Sequence, residues 1–164
     1  MQVKGTDRHM DISSDEMVAR INSTRAGSVW EWLDIRLVTA QKDKVVATMP
    51  IGPNHRQQVG YLHGGISVTL AESVASLGTV LNIDAEHQMA FGLEINANHL
   101  RPKRDGQLTA TATPLHRGRT THVWDVRITD ENEKLVCVSR CTVAVVDRPP
   151  DNGNPLTRNV PSFG

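Results

Sequence analysis

The pattern of apolar and polar positions predicts two helices and six strands. Residues 13–24 begin with Ser13 and carry Glu16 three residues later, the signature of a capped short helix. From about His63 to Asn82 apolar residues recur at helical spacing, which predicts a long helix. Alternating apolar and polar residues predict strands over 30–41, 44–51, 87–101, 107–116, 120–130 and 134–147.

This order of elements predicts the fold class and the domain limits. One helix, two strands, a long helix and four strands indicate an α+β domain whose curved antiparallel sheet wraps the long helix. The turns between the last four strands are short enough to join antiparallel neighbours. We expect an N-terminal segment over 1–30, the domain over 31–147 and a flexible C-terminal tail over 148–164. One helix leaves a sheet face open, so oligomerisation is expected.

Composition and charge give no support to several classes of function. The 164 residues contain 18 basic and 18 acidic side chains, a balance that does not favour binding to nucleic acid or an anionic membrane. The N-terminus lacks the apolar core of a signal peptide, so we expect a cytoplasmic protein. Cys137 and Cys141 lie four residues apart in a predicted strand, about 13 Å along it. That spacing fits two buried thiols rather than a disulfide or a zinc site.

The long helix carries a single charged residue, Glu72. No other Asp, Glu, Lys or Arg occurs from Gln57 to Ile83. A helical projection places one apolar stripe toward the sheet, consisting of Ile66, Leu70, Val74, Leu77, Val80 and Leu81. The opposite face is expected to pack against the same helix of a second subunit, and contains Val68, Thr69, Glu72, Ala75, Ser76 and Thr79. The alternative is that Glu72 lies at an exposed helix edge and aids solubility.

The long helix begins with a His-Gly-Gly motif. Gly64 and Gly65 would present backbone N–H groups at the positive end of the helix dipole, where a phosphate or a polarised carbonyl oxygen can bind. His63 and Gln57 would add side-chain donors; the alternative is a glycine-rich helix start capped by histidine. Gly65 and Glu72 lie about 10 Å apart along such a helix, too far to act together within one chain. We therefore predict a composite site between two subunits.

Several segments together resemble the hotdog-fold acyl-CoA thioesterases, especially the branch of 1,4-dihydroxy-2-naphthoyl-CoA and 4-hydroxybenzoyl-CoA thioesterases. They are "GYLHGGISVTLAESVAS", "GLEINANHLR", "PLHRGR", "VWDVRI" and "SRCTVAVV", and the resemblance spans residues 32–146. It implies dimers that pair into tetramers and active sites between subunits. It also implies no metal, and no cofactor other than the coenzyme A of the substrate.

The resemblance implies a role for each candidate residue. Glu72 corresponds to the catalytic nucleophile or general base, and the N–H of Gly64 or Gly65 to the donor that polarises the thioester carbonyl. Gln57 and His63 would orient the acyl group or water, and Ser76 would place water. Candidate substrate contacts are Arg101 at a coenzyme A phosphate, together with His99, Tyr61 and Val59. The sequence departs from close relatives at Gln58, Val59 and Tyr61, beside the expected acyl site.

An apolar acyl slot and two rival functions complete the sequence-based hypotheses. Trp30, Trp32, Met89 and Phe91 are candidates to line the slot, although each is also typical of a core. An α/β-hydrolase is excluded because no G-x-S-x-G elbow follows the His-Gly-Gly motif. A hotdog enoyl-CoA hydratase or dehydratase and a non-catalytic module that binds CoA esters remain alternatives. Catalysis by one carboxylate and an oxyanion donor is the preferred prediction.

Overall fold

The computed structural model describes residues 13–149, with the predicted elements in the predicted order and one short additional helix. Its helices are α1 (Ser14–Ser23), α2 (Val29–Trp32) and α3 (Gly64–Val80). Its strands are β1 (Arg36–Gln41), β2 (Lys44–Pro50), β3 (Gln88–His99), β4 (Gln107–Arg117), β5 (Thr121–Asp130) and β6 (Leu135–Asp147). A 3-10 turn, Pro53–His55, precedes α3 in the loop after β2.

The six strands form one antiparallel sheet in the order β1-β2-β4-β5-β6-β3. Alternate residues of β5 from His122 to Asp130 are buried, and the long helix α3 contacts every strand from β2 to β6. The predicted α+β class, with a sheet wrapped around one long helix, is therefore confirmed. No helix within residues 13–149 is long and apolar enough to cross a membrane.

The predicted pairing of the third and fourth strands was wrong. β3 pairs with β6 along its whole length, and both Leu100 and Arg101 continue the contact by donating backbone N–H groups to the Val136 carbonyl. The chain then crosses the end of the sheet, where Leu62 N–H donates to the Lys103 carbonyl over 2.7 Å. A short connection limits the distance between two strand ends, but it does not decide which strands pair.

The sheet covers more of α3 than the helical projection predicted. Ala75 and Thr79, assigned to the outer face, are fully buried, whereas Ile66, Val80 and Leu81 are only partly buried. Thr79 is satisfied inside the core because its hydroxyl accepts a hydrogen bond from Trp124 Nε1 at 2.9 Å. The physical reason is that α3 contacts five strands, β2 to β6, which extends burial beyond the single apolar stripe.

The first strand is shorter than predicted. Trp30 and Trp32 lie in α2, and β1 starts only at Arg36. Glu31 Oε2 accepts the Gly27 N–H at 2.7 Å, and the Ile35 N–H donates to the Trp30 carbonyl at 2.8 Å, so the segment is held as a helical turn. Alternation of apolar residues therefore indicated a strand where local hydrogen bonds form a helix.

The N-terminal helix forms as predicted and shares the core of the domain. Glu16 N–H donates to Ser13 Oγ at 3.3 Å, while Ser13 N–H donates to Glu16 Oε2 at 3.0 Å, which confirms the capping box. α1 packs against β1, and its Ile21 is buried in the core. Cys137 and Cys141 are buried and free, as predicted. Residues 1–12 and nearly all of the predicted tail, 150–164, lie outside the described residues.

Candidate active site

His63 defines the start of α3 and sets which backbone donors remain available. It is the N-cap, and its Nδ1 accepts the Gly65 N–H at 3.0 Å. Because Nδ1 accepts, the neutral ring carries its proton on Nε2, which remains a donor. The Gly64 N–H meets no acceptor among the described residues, so Gly64, rather than Gly65, presents the unpaired donor.

A cavity of about 410 Å³ lies at this helix start, and we call it the helix-start cavity. It brings together five predicted site residues, Gln57, Tyr61, Gly64, His99 and Arg101. The His99 ring packs on Gly64 so closely that an added Cβ there would lie 2.8 Å from His99 Nε2. A larger residue at position 64 would therefore displace the His99 ring.

Arg101 is the best-placed cation of this cavity. Lys103, which also lines the cavity, forms ion pairs with two acids, since its Nζ lies 2.9 Å from Glu131 Oε1 and 3.6 Å from Asp130 Oδ2. The hydrogen bond to Glu131 raises the pKa of Lys103. Arg104 stacks over the Tyr61 ring at 4.2 Å. Arg101 is exposed and makes no ion pair among the described residues, which leaves it free for a phosphate.

Glu72 faces a second, separate depression. It lies midway along α3, partly exposed, and its carboxylate accepts no hydrogen bond among residues 13–149. Its Oε1 packs over the backbone of Gly92 in β3, where an added Cβ would overlap it. A side chain at position 92 would therefore displace the carboxylate.

The depression is a groove of about 520 Å³ between α3 and the α1–α2 segment, and we call it the Glu72 groove. Ser76 lies beside Glu72 in its wall, one helical turn further along α3. Apolar walls are contributed by Ile21, Val29, Trp30, Leu77 and Val80. A groove of this size, with an apolar lining and one carboxylate, suits a small acyl group.

The two depressions share no lining residue. Glu72 and Ser76 line one, whereas Gln57, Gly64, His99 and Arg101 line the other. Within one chain, therefore, the carboxylate and the unpaired N–H do not face a common cavity. This separation agrees with the predicted division of one site between two subunits, which remains a prediction.

Two further candidate residues lie outside both cavities. Val59 is 69% exposed at the tip of the turn after Gln57, and it lines neither cavity. His63 also lines neither, although it is next to Gly64. Of the predicted apolar slot, only Trp30 lines the Glu72 groove, whereas Trp32, Met89 and Phe91 line neither cavity.

The charge of Glu72 contributes to the pKa of a buried thiol in the sheet. Burial, with a smaller contribution from the Glu72 and Glu94 carboxylates, raises the pKa of Cys141 to about 12. Burial likewise raises the pKa of Cys137. Both thiols stay protonated at neutral pH, so neither is a nucleophile for the Glu72 groove.

One cluster of potential metal ligands occurs in the described part of the chain. Asp84, Glu86 and His87 lie together at the exposed turn between α3 and β3. Asp84 already accepts the Glu86 N–H at 3.1 Å and contacts His87 Nδ1 at 2.8 Å. Hydrogen bonds of the turn itself thus account for this arrangement.

Sequence reasoning missed one wall and one buried hydroxyl. The wall is the α1–α2 segment. The predicted domain limit at residue 30 set this segment apart from the domain, but its residues Ile21, Arg25 and Trp30 line the Glu72 groove. The hydroxyl is Ser67, 1% exposed, which lines the helix-start cavity and whose Oγ has no hydrogen-bond partner within residues 13–149. Its position three residues after Gly64, on the same helix face, was the available signal.

The chain is similar to known proteins over most of its length. The sequence pattern of the Thioesterase superfamily matches residues 59–137. A 1,4-dihydroxy-2-naphthoyl-CoA hydrolase of Listeria monocytogenes is 50% identical over 115 residues, covering 70% of this chain and 93% of the relative. The Escherichia coli protein of that name is 42% identical over 126 residues, covering 77% and 92%. The crystal structure of a mutant thioesterase from Pseudomonas aeruginosa matches with TM-score 0.77 and 40% identity, covering 80% of this chain and 94% of that one.

The family pattern covers the α3 side of the Glu72 groove and most of the helix-start cavity, but not the α1–α2 wall. The matched segment includes Gly64, Glu72 and strands β3, β4 and β5, whereas β2 and most of β6 lie outside it. The relatives are covered almost to their full length, so their whole domain corresponds to this one. This chain belongs to the thioesterase superfamily, and it is a thioester hydrolase with the hotdog fold.

Proposed function

We propose that the protein hydrolyses an aromatic acyl-CoA thioester, such as 1,4-dihydroxy-2-naphthoyl-CoA or a hydroxybenzoyl-CoA, to the free acid and coenzyme A. The observation that carries this proposal is the position of Glu72, the only charged residue of α3, in an apolar groove that contains Trp30. Two relatives named as 1,4-dihydroxy-2-naphthoyl-CoA hydrolases support the choice of acyl group.

Glu72 supplies the carboxylate for the reaction. It attacks the thioester carbonyl carbon itself, or it removes a proton from the water that does so. Direct attack breaks the carbon–sulfur bond and gives a mixed anhydride, which water hydrolyses to the acid and the free Glu72 carboxylate, whereas general-base catalysis adds water to the carbonyl before that bond breaks. In both routes one proton of the water ends on the coenzyme A thiolate. The Gly64 N–H stabilises the oxyanion, a contribution that is typically worth a hundredfold or more in rate. No metal or resident cofactor takes part in this proposal.

The remaining candidates position the substrate and water. Gln57 and the Nε2–H of His63 orient the acyl group or water, and Ser76 places water beside Glu72. Arg101 binds a coenzyme A phosphate at the helix-start cavity, which His99 and Tyr61 also line. Val59 is exposed in the single chain. In this proposal it contacts the acyl group where a second chain covers Val59.

A homodimer brings the two depressions together in this proposal. Glu72 of one chain meets Gly64 of a second copy, which gives two sites per dimer, and two dimers form a homotetramer. Support comes from β3, an open sheet edge of 12 residues on which Phe91 and Leu93 are exposed. A long apolar edge of this kind is normally covered by another chain.

A substrate screen tests the reaction. The purified protein is incubated with 4-hydroxybenzoyl-CoA, hexanoyl-CoA and crotonyl-CoA, while free thiol and loss of the double bond are measured separately. We expect fastest thiol release from the aryl thioester. Loss of the crotonyl double bond without thiol release would instead identify a hydratase. A higher kcat/KM for hexanoyl-CoA would contradict the aromatic assignment.

Complementation between two inactive chains tests the composite site. Glu72→Gln and Gln57→Ala are co-expressed in equal amounts, and thiol release by the purified mixture is compared with each variant alone. If every site takes Glu72 from one chain and Gln57 from the other, random pairing leaves about one quarter of sites intact. Recovery of about a quarter of wild-type activity is therefore expected. A mixture no more active than its two parents would place the whole site within one chain.

A further inference from the structure

The Glu72 groove has a wall that lies outside the matched thioesterase segment. Residues 59–137 carry the family pattern, whereas Ile21, Val29 and Trp30 come from the α1–α2 segment that precedes it. Three of the five apolar residues in the groove therefore belong to this N-terminal segment. The chemistry of this wall is set by residues 21–30.

Hydrogen bonds fix this wall before any ligand binds. Arg25 is largely buried, and its guanidinium donates to the carbonyls of Asn22 at 3.1 Å, Trp30 at 3.4 Å and Ile35 at 3.1 Å. Trp30 also packs against the hydrophobic core. An indole held in this way offers a rigid flat surface, and little conformational entropy is lost when a ligand packs on it.

The opposite side of the groove supplies small hydroxyl groups. Ser73 and Ser76 of α3 line it, and their hydroxyls make no hydrogen bond among the described residues. A hydroxyl can both donate and accept, so it suits a ring hydroxyl group. Apart from Glu72, the only charged lining residue is Arg25, whose guanidinium is already bound to carbonyls. The groove therefore suits a neutral, hydroxylated ring.

We propose that Trp30 determines the acyl specificity of the enzyme by stacking on an aromatic acyl group bound in the Glu72 groove. This inference rests on the proposed function and adds the residue that selects the ring. Aromatic pairs gain more than the burial of their area alone, whereas a linear alkyl chain gains only the burial. Trp30 thus favours aryl over alkyl thioesters of similar size.

Trp32 offers a matched control on the same helix. Trp30→Leu, Trp30→Phe and Trp32→Leu are compared by the ratio of kcat/KM for 4-hydroxybenzoyl-CoA to that for hexanoyl-CoA. We expect Trp30→Leu to lower this ratio by about three- to tenfold, and Trp30→Phe to retain most of it. Trp32, 65% exposed and outside the groove, should change the ratio less than twofold. Leucine and phenylalanine are chosen because they can still pack against the core.

A binding measurement separates this inference from the proposed reaction. Affinities are measured for 4-hydroxyphenacyl-CoA, a ketone that cannot be hydrolysed, and for an alkyl ketone thioether of coenzyme A of similar size. Trp30→Leu should weaken only the aryl compound, by about tenfold. Aryl binding that depends on Trp30, without hydrolysis of any thioester, would overturn the proposed function alone. Hydrolysis and binding ratios unchanged in Trp30→Leu would overturn the role of Trp30 alone.

Discussion

Glu72→Gln is expected to lower kcat for thioester hydrolysis at least about a hundredfold, because glutamine can neither attack the carbonyl nor accept a proton from water. The fold should be preserved. Glu72 is partly exposed and its carboxylate accepts no hydrogen bond among the described residues, so glutamine fills the same space without leaving a buried partner unpaired. Thiol release under saturating substrate measures the effect, and circular dichroism checks the fold.

Glu86→Gln is the matched control for the loss of one negative charge. Glu86 is exposed at the turn after α3, outside both cavities, so kcat should stay within about twofold of wild type. Coenzyme A affinity should be unchanged in both variants, because Arg101 and the helix-start cavity are intact. Full turnover by Glu72→Gln would remove this residue from the mechanism and would favour a binding module in which the carboxylate is structural.

Trp124→Ala should produce the largest loss of stability, about 3–5 kcal/mol in the free energy of unfolding. The Trp124 side chain is fully buried between the sheet and α3, and its Nε1 donates to Thr79 Oγ1 at 2.9 Å. Alanine would leave a large cavity and remove this bond. Denaturant unfolding measures the change, and a shifted midpoint at constant slope identifies it as a change in stability.

Gly78→Ala tests the same contact from the helix. A Cβ at position 78 would lie 2.6 Å from Trp124 Cη2, so we expect a loss of about 1–3 kcal/mol from overpacking. Combining Gly78→Ala with Trp124→Phe should cost less than the sum of the single changes, because the smaller ring makes room for the methyl group. Trp32→Ala, on an exposed side chain, is the control and should change stability by less than about 0.5 kcal/mol. Wild-type stability in Gly78→Ala would contradict this packing.

The sequence by itself determined the features that depend on residues close together in the chain. The Ser13–Glu16 capping box, the start of α3 at the His-Gly-Gly motif and the last four strands follow from local hydrogen bonds and side-chain periodicity. The presence of one acid on an otherwise uncharged helix was also readable, because it required only the order of residues. These features predicted the fold class and Glu72 as the central candidate.

Tertiary structure decided which elements and side chains contact one another. Pairing of β3 with β6, burial of Thr79 beneath Trp124 and the placement of Trp30 beside Glu72 all join residues far apart in the chain. Periodicity specifies which face of an element is apolar, but it does not specify the partner that covers that face. The packing of α3 against five strands and the hydrogen bonds of Arg25 determine those partners, and the bonds of Arg25 fix the α1–α2 wall of the Glu72 groove.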